Sequence, residues 1–124
     1  MGDSKGKTKT TILLVVSNEL IRDVFKELFE RTGYNIVVVV KARDGLQTLK
    51  NYCFDIVICD FDLDDGTGVE FFVSAKNICP EKKNILMITY GDLENITEKE
   101  ISNIHHIIEK PFLFEELKKI IEKS

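Results

Sequence analysis

At 124 residues, with 44% hydrophobic and 31% charged side chains, the chain can bury the core of one domain without metal or disulfide staples. Its net charge of −4 offers no basic face to nucleic acid or to an anionic membrane. No apolar run approaches the ~20 residues of a membrane-spanning helix, and no signal peptide opens the sequence.

Residues 1–10, MGDSKGKTKT, are polar and aperiodic, the composition of a disordered leader ahead of one domain over 11–124. TILLVV (11–16) is a continuous apolar run, as in a strand buried on both faces. In 19–33, Leu20, Ile21, Val24, Phe25, Leu28 and Phe29 recur at three- and four-residue spacing, which predicts a helix ended by Gly33. NIVVVV (35–40) reads as a second strand and 42–52 as a helix, with Asp44 a candidate cap. DIVICD (55–60) is a third strand, VEFFVSAKNI (69–78) a helix and NILMIT (84–89) a fourth strand. Thr97 and Glu100 form a capping box for a short helix over 98–104. HIIE (106–109) and the amphipathic stretch 113–123 complete the pattern.

Strand and helix alternate five times, which predicts a doubly wound α/β domain with a five-stranded parallel sheet covered on both faces. Ligands of such sheets bind beyond the carboxyl ends of the strands, here Val16-Ser17, Asp60, Thr89 and Glu109-Lys110. Asp60 opens a run of four aspartates, Asp60, Asp62, Asp64 and Asp65. At about 4 Å each pair of carboxylates costs roughly 4 kcal/mol at a surface-like dielectric, so a cation, a lysine or free access to water must offset the repulsion. The three cysteines, Cys53, Cys59 and Cys79, have no C-x-x-C spacing and read as reduced structural thiols of a cytoplasmic protein.

With Asp60 at a strand end, ARDG at 42–45, Thr89 closing MIT and Lys110 in EKPF, the chain resembles a response-regulator receiver domain, the phosphoryl-accepting module of two-component signalling. The resemblance spans about residues 11–123 and implies a flavodoxin-like (βα)5 fold with strand order 2-1-3-4-5. It implies Asp60 as phosphoacceptor, Lys110 as the lysine that pairs with it, Thr89 as the hydroxyl that meets the phosphoryl group, and a cis Lys110–Pro111 bond. A histidine kinase or phosphotransfer protein would then be the donor and an unidentified protein the effector, with no nucleic-acid or membrane partner. The domain would signal by contact and would not act as an enzyme on a separate substrate.

The family's first strand normally ends in two adjacent acids that hold Mg²⁺. Val16 and Ser17 stand there, or Ser17 and Asn18 in the shifted register, and neither pair brings a carboxylate. Any Mg²⁺ would rest on Asp60 and on Asp62, chiefly through the Asp62 backbone. Ile107 replaces a frequent aromatic, and Asp64 and Asp65 read either as part of a rebuilt cation site or as a solvated turn. Two rival functions share the residues: a phosphorylation-independent interaction domain that keeps Asp60, Thr89 and Lys110 as a polar cluster, and a haloacid-dehalogenase-like phosphatase with Asp60 and Asp62 as its D-x-D. The second is disfavoured because two strands precede Asp60.

Overall fold

Unbroken β-branched and aliphatic runs cannot face water on either side, and here both faces are covered. The computed structural model describes residues 9–80 and 82–123. Five strands, β1 (Thr11–Val15), β2 (Asn35–Val39), β3 (Ile56–Asp60), β4 (Lys83–Ile88) and β5 (His106–Glu109), form one parallel sheet in the order β2-β1-β3-β4-β5. The helices are α1 (Glu19–Arg31), α2 (Ala42–Asn51), α3 (Gly68–Lys76), the single turn α4 (Glu98–Ile101) and α5 (Phe114–Glu122). The doubly wound architecture and the strand order agree with the sequence reading.

Alternation along each strand divides the core in two. Leu13, Val15, Val57, Cys59, Leu86 and Ile88 point to one side, where Leu49, Phe71, Phe72 and Ala75 of α2 and α3 cover them. Ile12, Leu14, Ile56, Ile58, Ile85 and Met87 point to the other, under Phe29 of α1 and Leu117 and Ile121 of α5. Phe25, Phe29, Phe112 and Phe114 meet there with ring centroids 5.0 to 6.5 Å apart. Phe71 and Phe72 are buried between α3 and the sheet, as expected.

The expected leader falls, apart from Lys9 and Thr10, outside the described residues. Three other local expectations change. Helix α4 stops at Ile101 instead of 104, because the Asn103 carbonyl turns back to accept the buried Asn84 side-chain amide at 2.8 Å. Helix α2 is not capped by Asp44. Its N-cap position is Lys41, which supplies no side-chain acceptor, and the Asp65 carboxylate arrives from another loop to take the Ala42 and Arg43 N–H groups at 2.8 and 3.1 Å. Finally, Cys53 and Cys79 are joined as a disulfide with Cα atoms 5.9 Å apart, and only Cys59 is a free thiol. The cysteines' sequence spacing could not show this, since the pair meets only when the ends of α2 and α3 come together below the sheet.

Asp65 is thus a structural acid. Slight desolvation works to raise its pKa, but hydrogen bonds from the Ala42, Arg43 and Asp65 N–H groups and the Arg43 charge outweigh that and hold it below its ordinary 3.8. A lowered native pKa gives stability that is present above the unfolded value and is lost as pH falls through the native one. Asp65→Ala should therefore cost about 1 kcal/mol near neutral pH, kept modest by solvent exposure. Paired denaturant titrations should show that difference shrinking in acid.

Candidate functional site

The carboxyl ends of β1, β3, β4 and β5 open on one side of the sheet, and the strand order reverses between β1 and β3. Asp60 is the last residue of β3, its side chain 10% exposed. Its Oδ1 accepts from Lys110 Nζ at 2.7 Å and from the Phe61 N–H at 3.0 Å. Among the described residues no donor reaches Oδ2, and the only fully buried side-chain nitrogen or oxygen without a partner is Asn84 Oδ1, at the other end of β4, so Oδ2 keeps contact with solvent. One oxygen is held and the other is free of protein donors among the described residues.

Lys110 follows β5 and is held by its N–H, which donates to the Ile88 carbonyl at 2.8 Å; its bond to Pro111 is cis, as expected. Gly68 is the other positioning element. Its N–H donates to the Phe61 carbonyl at 2.8 Å, and a β-carbon there would collide with the Asp60 carbonyl oxygen and lie 2.7 Å from Leu86 Cδ1. Only a residue without a side chain lets α3 start this close to the end of β3. Thr89 lies just past β4 and shares with Lys110, Pro111, Met87, Ile21, Phe25 and Phe112 the lining of an apolar groove of about 450 Å³.

The four aspartates separate into different roles. Asp60 pairs with Lys110. Asp62 is exposed on a two-residue strand, Asp62–Leu63, paired antiparallel with Gly66–Thr67. The Asp64 N–H donates to Ser17 Oγ at 3.0 Å, and Asp65 holds the start of α2. The repulsion implied by their spacing in sequence is relieved by one lysine, by helix N–H groups and by solvent. Neighbouring Cys59 is buried, and desolvation, then the charges of Asp60 and Asp65, push its thiol well above the ordinary value, so it remains protonated.

At the end of β1, Ser17 Oγ donates to the Val40 carbonyl at 2.7 Å while accepting from Asp64. The hydroxyl thus pins β1, β2 and the loop after β3 together. The Val16 and Ser17 carbonyls accept from Arg22 Nη1 at 3.2 and 2.8 Å. Receiver domains typically bind Mg²⁺ at the phosphorylation site, and that ion asks for several oxygens, carboxylates among them. The donor set here does not match: Val16 gives no ligand side chain, the Ser17 hydroxyl is committed, and a guanidinium lies against both carbonyls. Among the described residues no three His, Cys, Asp or Glu side chains converge as a metal would need.

Sequence reasoning singled out Asp60, Lys110 and Thr89, and the fold brings all three to one end of the sheet. It missed Arg22, whose signal was a cation one helical turn after the first strand. It also missed Asp92, whose carboxylate accepts from the Thr89 hydroxyl at 2.9 Å. Thr89 to Asp92 has the same spacing as the recognised Thr97–Glu100 pair. His105 and His106 are turn and strand residues: the Asn84 N–H donates to His105 Nδ1 at 2.8 Å, and burial, with the charges of Lys83, Lys123 and His105, lowers the pKa of His106.

A family model described as "Response regulator receiver domain" matches residues 12–122. The chain is 28% identical over 113 residues to sporulation initiation phosphotransferase F of Bacillus subtilis (strain 168), covering 90% of each. It is 24% identical over 113 residues to the transcriptional regulatory protein ZraR of Escherichia coli (strain K12), of which it spans 26% of the length. The crystal structure of a response regulator receiver domain protein (CheY-like) from Methanospirillum hungatei JF-1 superposes with a TM-score of 0.85 at 28% identity, covering 93% of this chain and 92% of that one. The chain belongs to the response regulator receiver domain family of two-component signalling.

Proposed function

We propose that Asp60 accepts a phosphoryl group and that the domain then signals by protein contact. The observation that carries this reading is the Asp60–Lys110 pair, with the lysine on Oδ1 and Oδ2 open. Oδ2 attacks phosphorus and forms the new P–O bond as the bond from phosphorus to the donor nitrogen or oxygen breaks, the donor leaving with that electron pair. Lys110 supplies positive charge for the phosphoryl oxygens, and Thr89 supplies a hydroxyl proton. The donor is a histidine kinase or phosphotransfer protein, and the effector is a further protein. On this reading the domain is a phosphoryl acceptor, not an enzyme with a separate substrate, and it works in the cytoplasm. Among the described residues no helix is long and apolar enough to cross a membrane.

Intact-mass analysis after incubation with acetyl phosphate, with Mg²⁺ and with a chelator, tests the reading. One added phosphoryl group is expected in the native protein and none in Asp60→Asn. No gain under either condition would favour the second reading, a phosphorylation-independent interaction domain. A specific observation supports that alternative: the position of a metal-binding acid is taken by Ser17, whose hydroxyl serves only to join chain segments.

A further inference from the structure

A threonine hydroxyl carries a single proton, and that of Thr89 is already engaged. Thr89 Oγ1 donates to Asp92 Oδ2 at 2.9 Å, and the Thr89 N–H donates to the same oxygen at 2.7 Å. The Asp92 N–H returns a bond to the Thr89 carbonyl at 3.1 Å. Gly91, at φ +93°, makes the reversal that brings the two residues together, and Asp92 opens a 3-10 turn over Asp92–Asn95.

The chain uses the same spacing twice more, at Thr67 and Glu70, where Thr67 Oγ1 caps α3, and at Thr97 and Glu100. There the Glu100 carboxylate accepts from the Thr97 N–H and hydroxyl, while Thr97 Oγ1 accepts the Glu100 N–H to cap α4. That hydroxyl serves a helix start. Thr89 is placed differently, at the carboxyl end of β4 in the groove it shares with Lys110, which holds Asp60. Its hydroxyl proton is wanted in two places.

We propose that Asp92 is a positioning residue that holds the Thr89 hydroxyl off the phosphoryl site, so that phosphoryl capture must first break the Asp92–Thr89 bond. The inference rests on the reading of Asp60 as phosphoacceptor. A phosphoryl group on Asp60 presents oxygens that accept hydrogen bonds, so Thr89 can serve it only as a donor. The same proton cannot stay on the Asp92 carboxylate. Asp92 is thus a built-in competitor of the incoming group, and it acts through Thr89 without touching the reacting atoms.

The test is the initial rate of phosphoryl gain from acetyl phosphate, read by intact mass, in the native protein, Asp92→Ala, Asp92→Asn, Thr89→Ala and the Thr89→Ala/Asp92→Ala double variant. Releasing one charge-assisted hydrogen bond partly screened by solvent should raise the rate roughly tenfold in Asp92→Ala. Asp92→Asn keeps an acceptor and loses the charge, and should fall between. The gain should vanish in the Thr89→Ala background, the mark of two residues acting as one unit. A merely structural Asp92 would move the rate the other way, since a loosened loop lowers acceptance. Gain in Asp92→Ala alone, with none in the native protein, would also support the proposal. Equal rates in the native protein and Asp92→Ala would overturn it while leaving Asp60 as acceptor. A gain that persists without Thr89 would overturn it as well. No phosphoryl group in any variant would overturn both the proposal and the reading beneath it.

Discussion

Gly68→Ala is expected to lower stability by about 2–3 kcal/mol, the upper part of the range for an atom forced into a packed interior, and to slow phosphoryl gain on Asp60 sharply. The added β-carbon meets the Asp60 carbonyl oxygen, which belongs to the backbone and cannot rotate away, and Leu86 Cδ1 at 2.7 Å. Relief requires either the start of α3 or the end of β3 to move. Both moves displace Asp60 from Lys110 Nζ, now 2.7 Å from its Oδ1. Gly45→Ala is the control. Its β-carbon would lie 2.8 Å from Phe71 Cε1 and 3.2 Å from Val15 Cγ2, side-chain atoms that can give where a backbone carbonyl cannot, and alanine is favoured over glycine inside a helix. Denaturant unfolding should separate the two variants by more than 1 kcal/mol, with Gly68→Ala the weaker. If both cost the same and both still take up phosphoryl groups, the close approach at Gly68 does not hold Asp60 in place.

How much of this was legible beforehand follows from the range of each interaction. Strand identities and order of elements were readable because runs such as ILLV and IVIC have one physical outcome: a parallel strand with helices on both faces. That Asp60, Thr89 and Lys110 would gather at one end was readable because the carboxyl ends of parallel strands converge at one edge of such a sheet. Contacts between loops were not. Nothing local to Asp65 says that it will hold the first N–H groups of α2, although Lys41 at a helix start without an acceptor left that place open. Ser17 could be seen to lack a carboxylate, but its use as a pin between Val40 and Asp64 depends on three chain segments meeting. The length of α4 was misjudged for a similar reason: the pull of Asn84 on Asn103 comes from the sheet.

The other large effect concerns the Cys53–Cys79 bond. Reduction, or Cys53→Ser, is expected to lower stability by about 3.5 kcal/mol, the loop-closure value for a cross-link between residues 26 apart in sequence. The bond ties the end of α2 to the segment after α3, beneath the face where Leu49, Phe71, Phe72 and Ala75 pack. The same two helices begin at the site: Asp65 caps α2, and α3 starts at Gly68 against Asp60. Cytoplasmic thiols are mostly kept reduced, so in that compartment the domain would rely on its noncovalent packing alone. Lys82 contributes there. Burial lowers its pKa, yet its Nζ donates to the Ala75 and Cys79 carbonyls at 3.4 and 2.5 Å, closing the end of α3 whether or not the sulfurs are joined. Native Cys79 is 2% exposed, so the reduced thiol stays in the core as a small apolar group. Denaturant titrations with and without dithiothreitol, with thiols counted by alkylation and mass, should therefore show a weaker but cooperatively folded reduced form. A reduced form that melts without a cooperative transition would mean that the two halves of this helical layer are held by the cross-link more than by the core they share. An unchanged midpoint with both thiols alkylated after unfolding in reductant would mean that the bond adds nothing to a layer already fixed at its upper end by Asp65 and Gly68.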